Sequence, residues 1–502
     1  MALSVLFIRF PYHKTIFSIP MTAFLIAIAV LIGGYFIYGM VIERVFGIDP
    51  KRPTPAYTRT DGIDYIPLSP WRVFLIQFLN IAGLGPIFGA IMGIMFGPAA
   101  FLWITFGTIF AGAVHDYLSG MISLRSGGAS LPEIVGQELG PGVKNVMRVW
   151  SVVLLILVGA VFVISPAGII DDITPDANDR LIWVGVIFVY YMLATLLPID
   201  RLIGRLYPIF GAALLFMAVA LLVVMIAGGM TIPDGFSDGL SSRYGDDTHM
   251  IFPMMFVSIA CGAISGFHAT QSPMMARCLT NERLARPIFY GAMVAEGLVA
   301  LIWAAAAIAF TGSYGSLHQY MTEHGANAGA LVREISVTWL GDLGGILALL
   351  GVVAAPITTG DTALRSTRLM VADMLHIDQK KITKRLLISI PIFALTFLIM
   401  CIDFNVLWRY FAWCNQSLAV FTLWAVTVYL ARHGKAYVVT LLPAMFMTAV
   451  TVSYLIFAPR PEGFGLGFGV AVAAGSTVAI ALMILFMSKI PKLRGLRYLG
   501  EE

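Results

Sequence analysis

Charged residues are scarce in this 502-residue chain, in which aspartate, glutamate, lysine and arginine together make up 12%. A soluble protein usually carries about a quarter charged residues, and a content of 59% apolar residues cannot be hidden inside a water-soluble fold. The few cysteines, Cys261, Cys278, Cys401 and Cys414, form no CxxC pair, so neither a disulfide framework nor a structural zinc site is supported. A nucleophile elbow, a phosphate loop and an HExxH motif are also missing, and therefore nothing supports an enzyme strongly. The net charge of +4 comes mostly from loops, which indicates orientation in a membrane and not nucleic-acid binding.

Long apolar runs dominate the sequence, and its mean hydropathy is +0.87. Runs of about twenty residues predict membrane-spanning helices rather than barrel strands. The first run, Ile19 to Ile42, is too long for the apolar core of a signal peptide and has no cleavage site after it, so we interpret it as a helix. We predict an all-α polytopic membrane protein with about thirteen spans. The predicted spans are 19–42, 73–97, 98–122, 146–170, 180–198, 206–229, 251–275, 287–311, 343–363, 386–402, 405–431, 437–458 and 465–488.

Basic residues concentrate in alternate loops, which predicts the orientation of the chain. One set of loops holds most of the arginines and lysines, from Arg44 through Arg125 and Arg283 to the tail that ends near Arg497. The other set has isolated basic residues, including Arg9 and Lys14, beside acidic pairs such as Asp171-Asp172 and Asp246-Asp247. We therefore expect a cytoplasmic C-terminus and an N-terminus outside.

Two of the predicted spans are interrupted in their middle by glycine. The second span contains Gly83–Pro86, and the seventh contains Gly262–Gly266. Glycine and proline disfavour a regular helix, and the backbone groups that they free at membrane depth are tolerated where they line a cavity or bind a ligand. Glycines in spanning helices also serve close packing alone, and that reading stays open for either interruption taken singly.

The two interruptions occupy matching positions in the chain. Four spans separate them, so each interrupted span begins a block of five, and the second block enters the membrane from the opposite side. This pattern predicts an inverted repeat with a site at the paired breaks. The predicted parts are 1–72, an extra helix and loop; 73–229, the first repeat; 251–431, the second repeat; and 437–502, two further helices and a tail.

Ionisable residues inside apolar spans are costly and are therefore functional candidates. His115 and Asp116 stand together in the third span and could relay a proton, or could brace the helix as a buried pair. His268, beside the second break, is a candidate substrate contact or a satisfied core histidine. Glu296 and Arg409 also lie in apolar sequence, where each could instead be paired or near an interface.

The ninth span contains a group of oxygen-bearing side chains, Thr358, Thr359 and Asp361. Hydroxyls and freed carbonyls are ligands suited to a hard cation, and Asp361 could hold that ion or a proton. The alternative is that the two threonine hydroxyls bond within their own helix. Asn415 and Gln416 could orient a carboxylate or an amide, or could serve interhelical packing.

Several motifs together resemble the carbon starvation protein A family. The run from Asn80 to Ala90, the segment Phe110–Tyr117, and Arg125 and Glu133 look like its signature region, and residues 266–273 and 358–365 resemble later segments. The likeness covers residues 70–430. It implies a LeuT-like core of five plus five helices, proton-coupled uptake of peptides or pyruvate across a bacterial inner membrane, and a cation site that joins the Ala82 region to Thr358 and Thr359. This sequence is shorter than many family members, and the shared motifs do not separate peptide from pyruvate carriers.

We therefore predict a proton symporter for short peptides or pyruvate-like carboxylates, with sodium as the other coupling ion and no cofactor or resident metal. A channel is the mechanistic rival. A nutrient sensor without net transport is an alternative, and an enzyme with metal at His115 and His268 is a remote one. The predicted substrate contacts are Asn80, Gly83, Gly85, Pro86, Gly262, Ser265, Gly266, His268 and Gln271. The predicted ion-coupling residues are His115, Asp116, Ala82, Thr358, Thr359 and Asp361. Membrane lipid surrounds the chain, and the sequence leaves the oligomeric state open.

Overall fold

The computed structural model describes residues 21–62, 64–173, 180–195, 199–233, 236, 238–379 and 381–495, and this part of the chain is helical without strands. The N-terminal residues, including Arg9 and Lys14, and the tail beyond 495 lie outside the described residues, so the orientation stays a prediction. The helices are α1 Thr22–Phe46, α2 Pro70–Ile81, α3 Gly85–Ile94, α4 Ala99–Arg125, α5 Leu131–Leu139, α6 Pro141–Ile173, α7 Arg180–Ala194, α8 Ile199–Ala227, α9 251–258, α10 His268–Ala276, α11 Glu282–Thr311, α12 Tyr314–Glu323, α13 Ala328–Leu347, α14 Ala354–Leu375, α15 Ile382–Ile399, α16 Phe404–Arg432, α17 Val438–Phe457 and α18 Phe468–Gly495.

All thirteen predicted spans overlap these helices. Within the described residues, ten helices are long and apolar enough to cross a membrane, and the bent pair α2 and α3 makes eleven. The two remaining predictions correspond to the shorter α7 and to the pair α9 and α10, which a long non-helical stretch separates. The chain is therefore a multi-pass membrane protein, as its composition indicates.

Glycine and serine explain several helix ends. Gly127 and Gly128, just after α4, have φ angles of 71° and 79°, a backbone conformation that residues other than glycine rarely adopt. Gly312 ends α11 in the left-handed region, and the side chain of Ser313 then accepts a hydrogen bond from the backbone N–H of Ser316 to cap α12. These signals are local, which is why the sequence places the helix ends within a few residues.

The centre of the bundle is formed by helices that are buried on nearly every face. In the most apolar 18-residue stretch of α16, 89% of the residues are buried inside the protein, whereas in the corresponding stretch of α18 the buried share is 22%. α6 packs along α14, and α4 packs along α10. α1, α15 and α18 expose most of their apolar side chains, as expected for helices in contact with lipid. Two interruptions, the first break (residues 82–84) and the second break (residues 259–267), lie in this buried centre.

Candidate functional site at the paired breaks

The two breaks touch each other. α2 and α3 meet at an angle of 54° at the first break. A Cβ atom added at Gly85 would lie 2.1 Å from the Cβ of Cys261 in the second break, so only glycine fits there. Gly262 has a φ of 88°, and a Cβ there would lie 2.7 Å from the Cβ of Ala300. The glycines of the two breaks therefore permit a close approach of two backbones, which is more than ordinary helix packing requires.

Polar side chains from other helices hold the second break. The side-chain oxygen of Asn415 accepts hydrogen bonds from the backbone N–H of Phe267 (2.7 Å) and the hydroxyl of Ser265 (3.1 Å). Its amide nitrogen donates to the carbonyl of Ala260 at 3.1 Å. Gln416 donates to the carbonyl of Phe256 at 3.2 Å. Backbone groups freed at membrane depth are thus satisfied by α16, and both Asn415 and Gln416 donate to backbone carbonyls of the interrupted span.

Both backbone polar groups of Gly262, the N–H and the carbonyl, form hydrogen bonds to side chains. Its N–H donates to a carboxylate oxygen of Glu296 in α11 at 3.0 Å, and its carbonyl accepts from the hydroxyl of Thr108 in α4 at 2.8 Å. The second break is therefore tied to three helices, α4, α11 and α16. The sequence marks Glu296 as an acidic residue inside an apolar helix, but not as a partner of the break.

A chain of buried ionisable side chains runs beside the second break. Asp116 lies 2.8 Å from Nδ1 of His115 and, through its other oxygen, 2.8 Å from Nδ1 of His268. Nε2 of His268 lies 3.4 Å from a carboxylate oxygen of Glu296. All four side chains are fully buried. Within the described residues, neither carboxylate forms an ion pair with lysine or arginine, so the histidines are their ionisable partners. The net charge of this group of four side chains therefore depends on the protons that they bind.

The first break has fewer polar contacts. The hydroxyl of Thr359 in α14 lies 3.1 Å from the carbonyl of Leu79 and 2.9 Å from that of Ala355, and its single proton serves one of them at a time. Thr362 donates a long hydrogen bond of 3.5 Å to the side chain of Asn80. Of the two threonines predicted for the cation site, Thr359 is therefore the one whose hydroxyl reaches α2, the helix that Ala82 caps at its C-terminal end.

Thr358 and Asp361 point away from the breaks. The hydroxyl of Thr358 donates to the carbonyl of Ala355 in its own helix at 2.7 Å. Asp361 accepts a hydrogen bond of 2.7 Å from the hydroxyl of Tyr207 in α8, and that hydroxyl also lies 3.2 Å from the carbonyl of Thr358. The structure thus separates the ion-coupling candidates into three groups, which are His115 with Asp116 beside the second break, Thr359 near Ala82, and Thr358 with Asp361 beside Tyr207. Tyr207, which the sequence does not single out, sits in an apolar helix without any local signal.

The remaining predicted substrate contacts are buried at the breaks. Asn80, Ser265 and Gln271 are fully enclosed by protein. The amide nitrogen of Asn80 and the side-chain oxygen of Gln271 have no hydrogen-bond partner within the described part of the chain. Buried amides normally find a partner, so Asn80 and Gln271 stay candidates for contact with a ligand.

The two ends of the bundle differ. We call the end with residues 238–250 the outer end and the opposite one the inner end. A cavity of about 540 Å³ opens at the outer end and is lined by both interrupted spans, by α16 and by the loops above them. Met92, Val257 and Ser258 form its floor, and Arg409, whose side chain is 43% exposed, lies on its wall 2.7 Å from Glu462.

The inner end is closed by ion pairs and hydrogen bonds. Arg125 at the end of α4 contacts Glu282 through two nitrogens, at 3.0 and 2.8 Å, and also donates to the carbonyl of Gly47 at 2.6 Å. The backbone N–H of Asp49 donates to Glu282 at 2.6 Å. Glu133 in α5 pairs with Arg148 at 2.8 Å. The cavity at the outer end thus reaches the interrupted spans as far as Met92 and Ser258, whereas the inner end is held together by these contacts.

A buried helical core in which two interrupted spans meet, with ionisable groups at the meeting point, is the architecture of a secondary membrane transporter. Solved structures show the same fold. A crystal structure of MhsT in complex with L-phenylalanine matches 84% of this chain and 99% of its own at a TM-score of 0.52 and 16% identity. A mutant of the manganese transporter of Eremococcus coleocola matches 86% of this chain and 99% of its own at a TM-score of 0.51 and 13% identity. The fold is LeuT-like.

The family model described as "Carbon starvation protein CstA" matches residues 20–234, 171–343 and 339–454. An uncharacterized membrane protein of Haemophilus influenzae is 45% identical over 58% of this chain and 92% of its own length. The pyruvate/proton symporter BtsT of Escherichia coli is 28% identical over 55% of this chain and 47% of its own. The peptide transporter CstA of Campylobacter jejuni is 30% identical over 55% of this chain and 48% of its own. The match thus spans about half the length of these two transporters, and the chain belongs to the carbon starvation protein CstA family.

Proposed function

We propose that the protein is a proton symporter that carries short peptides or pyruvate-like small carboxylates into the bacterial cytoplasm, with its site between the two breaks. The observation that carries this proposal is the buried chain from Asp116 through His268 to Glu296, because Glu296 also holds the backbone N–H of Gly262. A proton gained or lost in this chain changes the charge beside the break. The conformation of the break is thereby linked to protonation.

The geometry favours a cargo with a carboxylate. α3 begins at Gly85 and α10 begins at His268, so two helix amino ends start at the breaks. Such ends favour negative charge. Pyruvate and peptides both carry a carboxylate, and relatives of this chain are named for each.

The alternating movement follows from the difference between the ends. The outer cavity extends to Ser258, one residue before the second break, while ion pairs hold the inner end together, which supports a conformation open on the loading side. Release requires the outer cavity to close and the contacts around Glu282 or α5 to open. Sodium remains the alternative coupling ion, with Thr359 and the carbonyls near Ala82 as its ligands.

Uptake by the purified protein in liposomes tests this function. Labelled pyruvate and labelled dialanine are supplied outside, with either a pH gradient, acid outside, or a sodium gradient imposed across the membrane. We expect accumulation above equilibrium under the pH gradient and its loss on addition of a protonophore. Uptake that never exceeds equilibration indicates a channel, and accumulation under the sodium gradient alone transfers the coupling to sodium. Ligand binding without uptake favours the sensor.

A further inference from the structure

The geometry points to a transition-metal site at the second break, formed by the thiol of Cys261, the imidazole of His268 and the carboxylate of Glu296. Sulfur, nitrogen and oxygen together suit a borderline divalent ion of the Zn²⁺ class. Binding of the ion goes beyond the transport activity, whereas its effect on uptake rests on the proposed function.

The distances fit such an ion. One ligand atom from each of the three side chains lies within 4.8 Å of the others, and Nε2 of His268 is 3.4 Å from Oε2 of Glu296. Bonds of about 2.0–2.3 Å that meet at a tetrahedral angle place ligand atoms about 3.3–3.7 Å apart. The nitrogen and the oxygen already have this separation, and the sulfur, which lies within 4.8 Å of both, needs to approach by at most about 1–1.5 Å. The fourth position is left to water.

Asp116 prepares His268 as a ligand. It accepts the hydrogen bond of Nδ1 at 2.8 Å, which places the proton on that nitrogen and leaves the lone pair of Nε2 for a metal. Neither Nε2 of His268 nor Oε2 of Glu296 has a hydrogen-bond partner within the described residues, although both are fully buried. The other oxygen of Glu296 is fixed by the N–H of Gly262. A carboxylate behind a histidine with a free second nitrogen is the usual outer shell of a zinc ligand.

Charge also favours a divalent ion. A thiolate at Cys261 and the carboxylate of Glu296 offset its two positive charges. The groups that face this cluster from neighbouring elements are Asp116 and His115 of α4, and no lysine or arginine pairs with the cluster within the described residues. The ion therefore meets no competing fixed cation, and it competes with the proton on His268.

A bound ion holds the breaks in place. Glu296 belongs to α11, and Cys261 lies against Gly85 of the first interrupted span. Coordination therefore fastens the contact between the breaks to a neighbouring helix, and we expect it to inhibit transport.

Metal content of the purified protein tests the site without any transport. The full-length protein, kept reduced, is equilibrated with Zn²⁺ for elemental analysis and with Co²⁺ for absorption spectroscopy, in which a thiolate ligand gives a charge-transfer band. We expect one tightly held ion per chain and a thiolate band for the wild type. Cys261→Ser should remove the band and weaken binding at least about tenfold. Cys414→Ser, which changes another buried thiol, is the matched control and should leave both unchanged.

Glu296→Gln is a second variant, in case Cys261→Ser folds poorly, and should weaken binding while the cobalt–thiolate band persists at higher Co²⁺ concentration. Binding that is equal in Cys261→Ser and wild type, or absent in wild type, overturns the site. In liposomes, Zn²⁺ should inhibit wild-type uptake at concentrations that leave Cys261→Ser uninhibited relative to its own zinc-free rate. A protein that binds the ion but transports nothing contradicts the proposed function and leaves the site intact.

Discussion

The two breaks are alike in sequence and unlike in their support. The first is held by the hydroxyl of Thr359 and by contact with the second break. The second is tied through side chains of Glu296, Asn415 and Thr108 to three separate helices. A typical buried hydrogen bond contributes about 1 kcal/mol. Moving the first break should therefore cost less free energy than moving the second.

A side chain at the point where the two breaks touch should have the largest effect on substrate binding and uptake. Gly85→Leu inserts a side chain where a Cβ already lies 2.1 Å from that of Cys261, so we expect substrate binding and uptake to be lost. Binding is measured by the shift of the thermal unfolding midpoint with pyruvate or dipeptide, and uptake in liposomes. Gly185→Leu, at a helix position with open space around it, should behave as wild type.

A paired change separates this clash from general misfolding. Gly85→Ala alone should impair uptake, and adding Cys261→Gly, which removes the atoms that it meets, should restore part of it. Full substrate affinity in Gly85→Leu places the cavity elsewhere.

Removing the hydrogen bonds that hold the second break should have the next largest effect. Asn415→Ala leaves the N–H of Phe267 and the carbonyl of Ala260 without these partners, which should cost about 2–5 kcal/mol of the free energy of unfolding. Thermal unfolding of the purified protein measures the loss. Ser417→Ala, two residues along the same helix, should change stability by less than about 0.5 kcal/mol. Equal stability of Asn415→Ala and wild type would show that Asn415 does not stabilise the second break.

The first break should respond least. Thr359→Val keeps the size of the side chain and removes the hydroxyl near Leu79, so we expect a loss of about 1 kcal/mol in the same unfolding measurement. Thr358→Val is its control, because that hydroxyl bonds within its own helix and should matter less. If Thr359→Val destabilises as strongly as Asn415→Ala, the breaks are equally supported and the comparison fails.

Local sequence signals were enough to predict the helices and the breaks. Gly83–Pro86 and Gly262–Gly266 interrupt apolar runs by their own conformational preferences, and counting spans pairs them. The described helices overlap each predicted span for the same reason, since length and hydropathy are properties of the run itself. The functions of individual site residues stay predictions.

The contacts that hold the site depend on distant residues and on helix phase. Asn415 reaches the second break from about 150 positions away in sequence, and no periodicity in its own helix indicates that partner. Asp361 and Thr359 are two positions apart, and the helix turns them to opposite neighbours, Tyr207 and Leu79. Asp116, His268 and Glu296 each stand out as ionisable residues in apolar sequence, but no local signal joins them into one buried chain.

Accumulation by Asp116→Asn, measured beside Asp361→Asn, tests most directly the claim that the buried chain at the second break couples protons to transport. Each variant is placed in liposomes and assayed for uptake driven by a pH gradient and for exchange of labelled against unlabelled substrate without a gradient. If the claim holds, Asp116→Asn loses accumulation and keeps part of its exchange, whereas Asp361→Asn still accumulates. Unchanged accumulation by Asp116→Asn, together with its loss in Asp361→Asn, contradicts the claim and moves the coupling to the group around Tyr207.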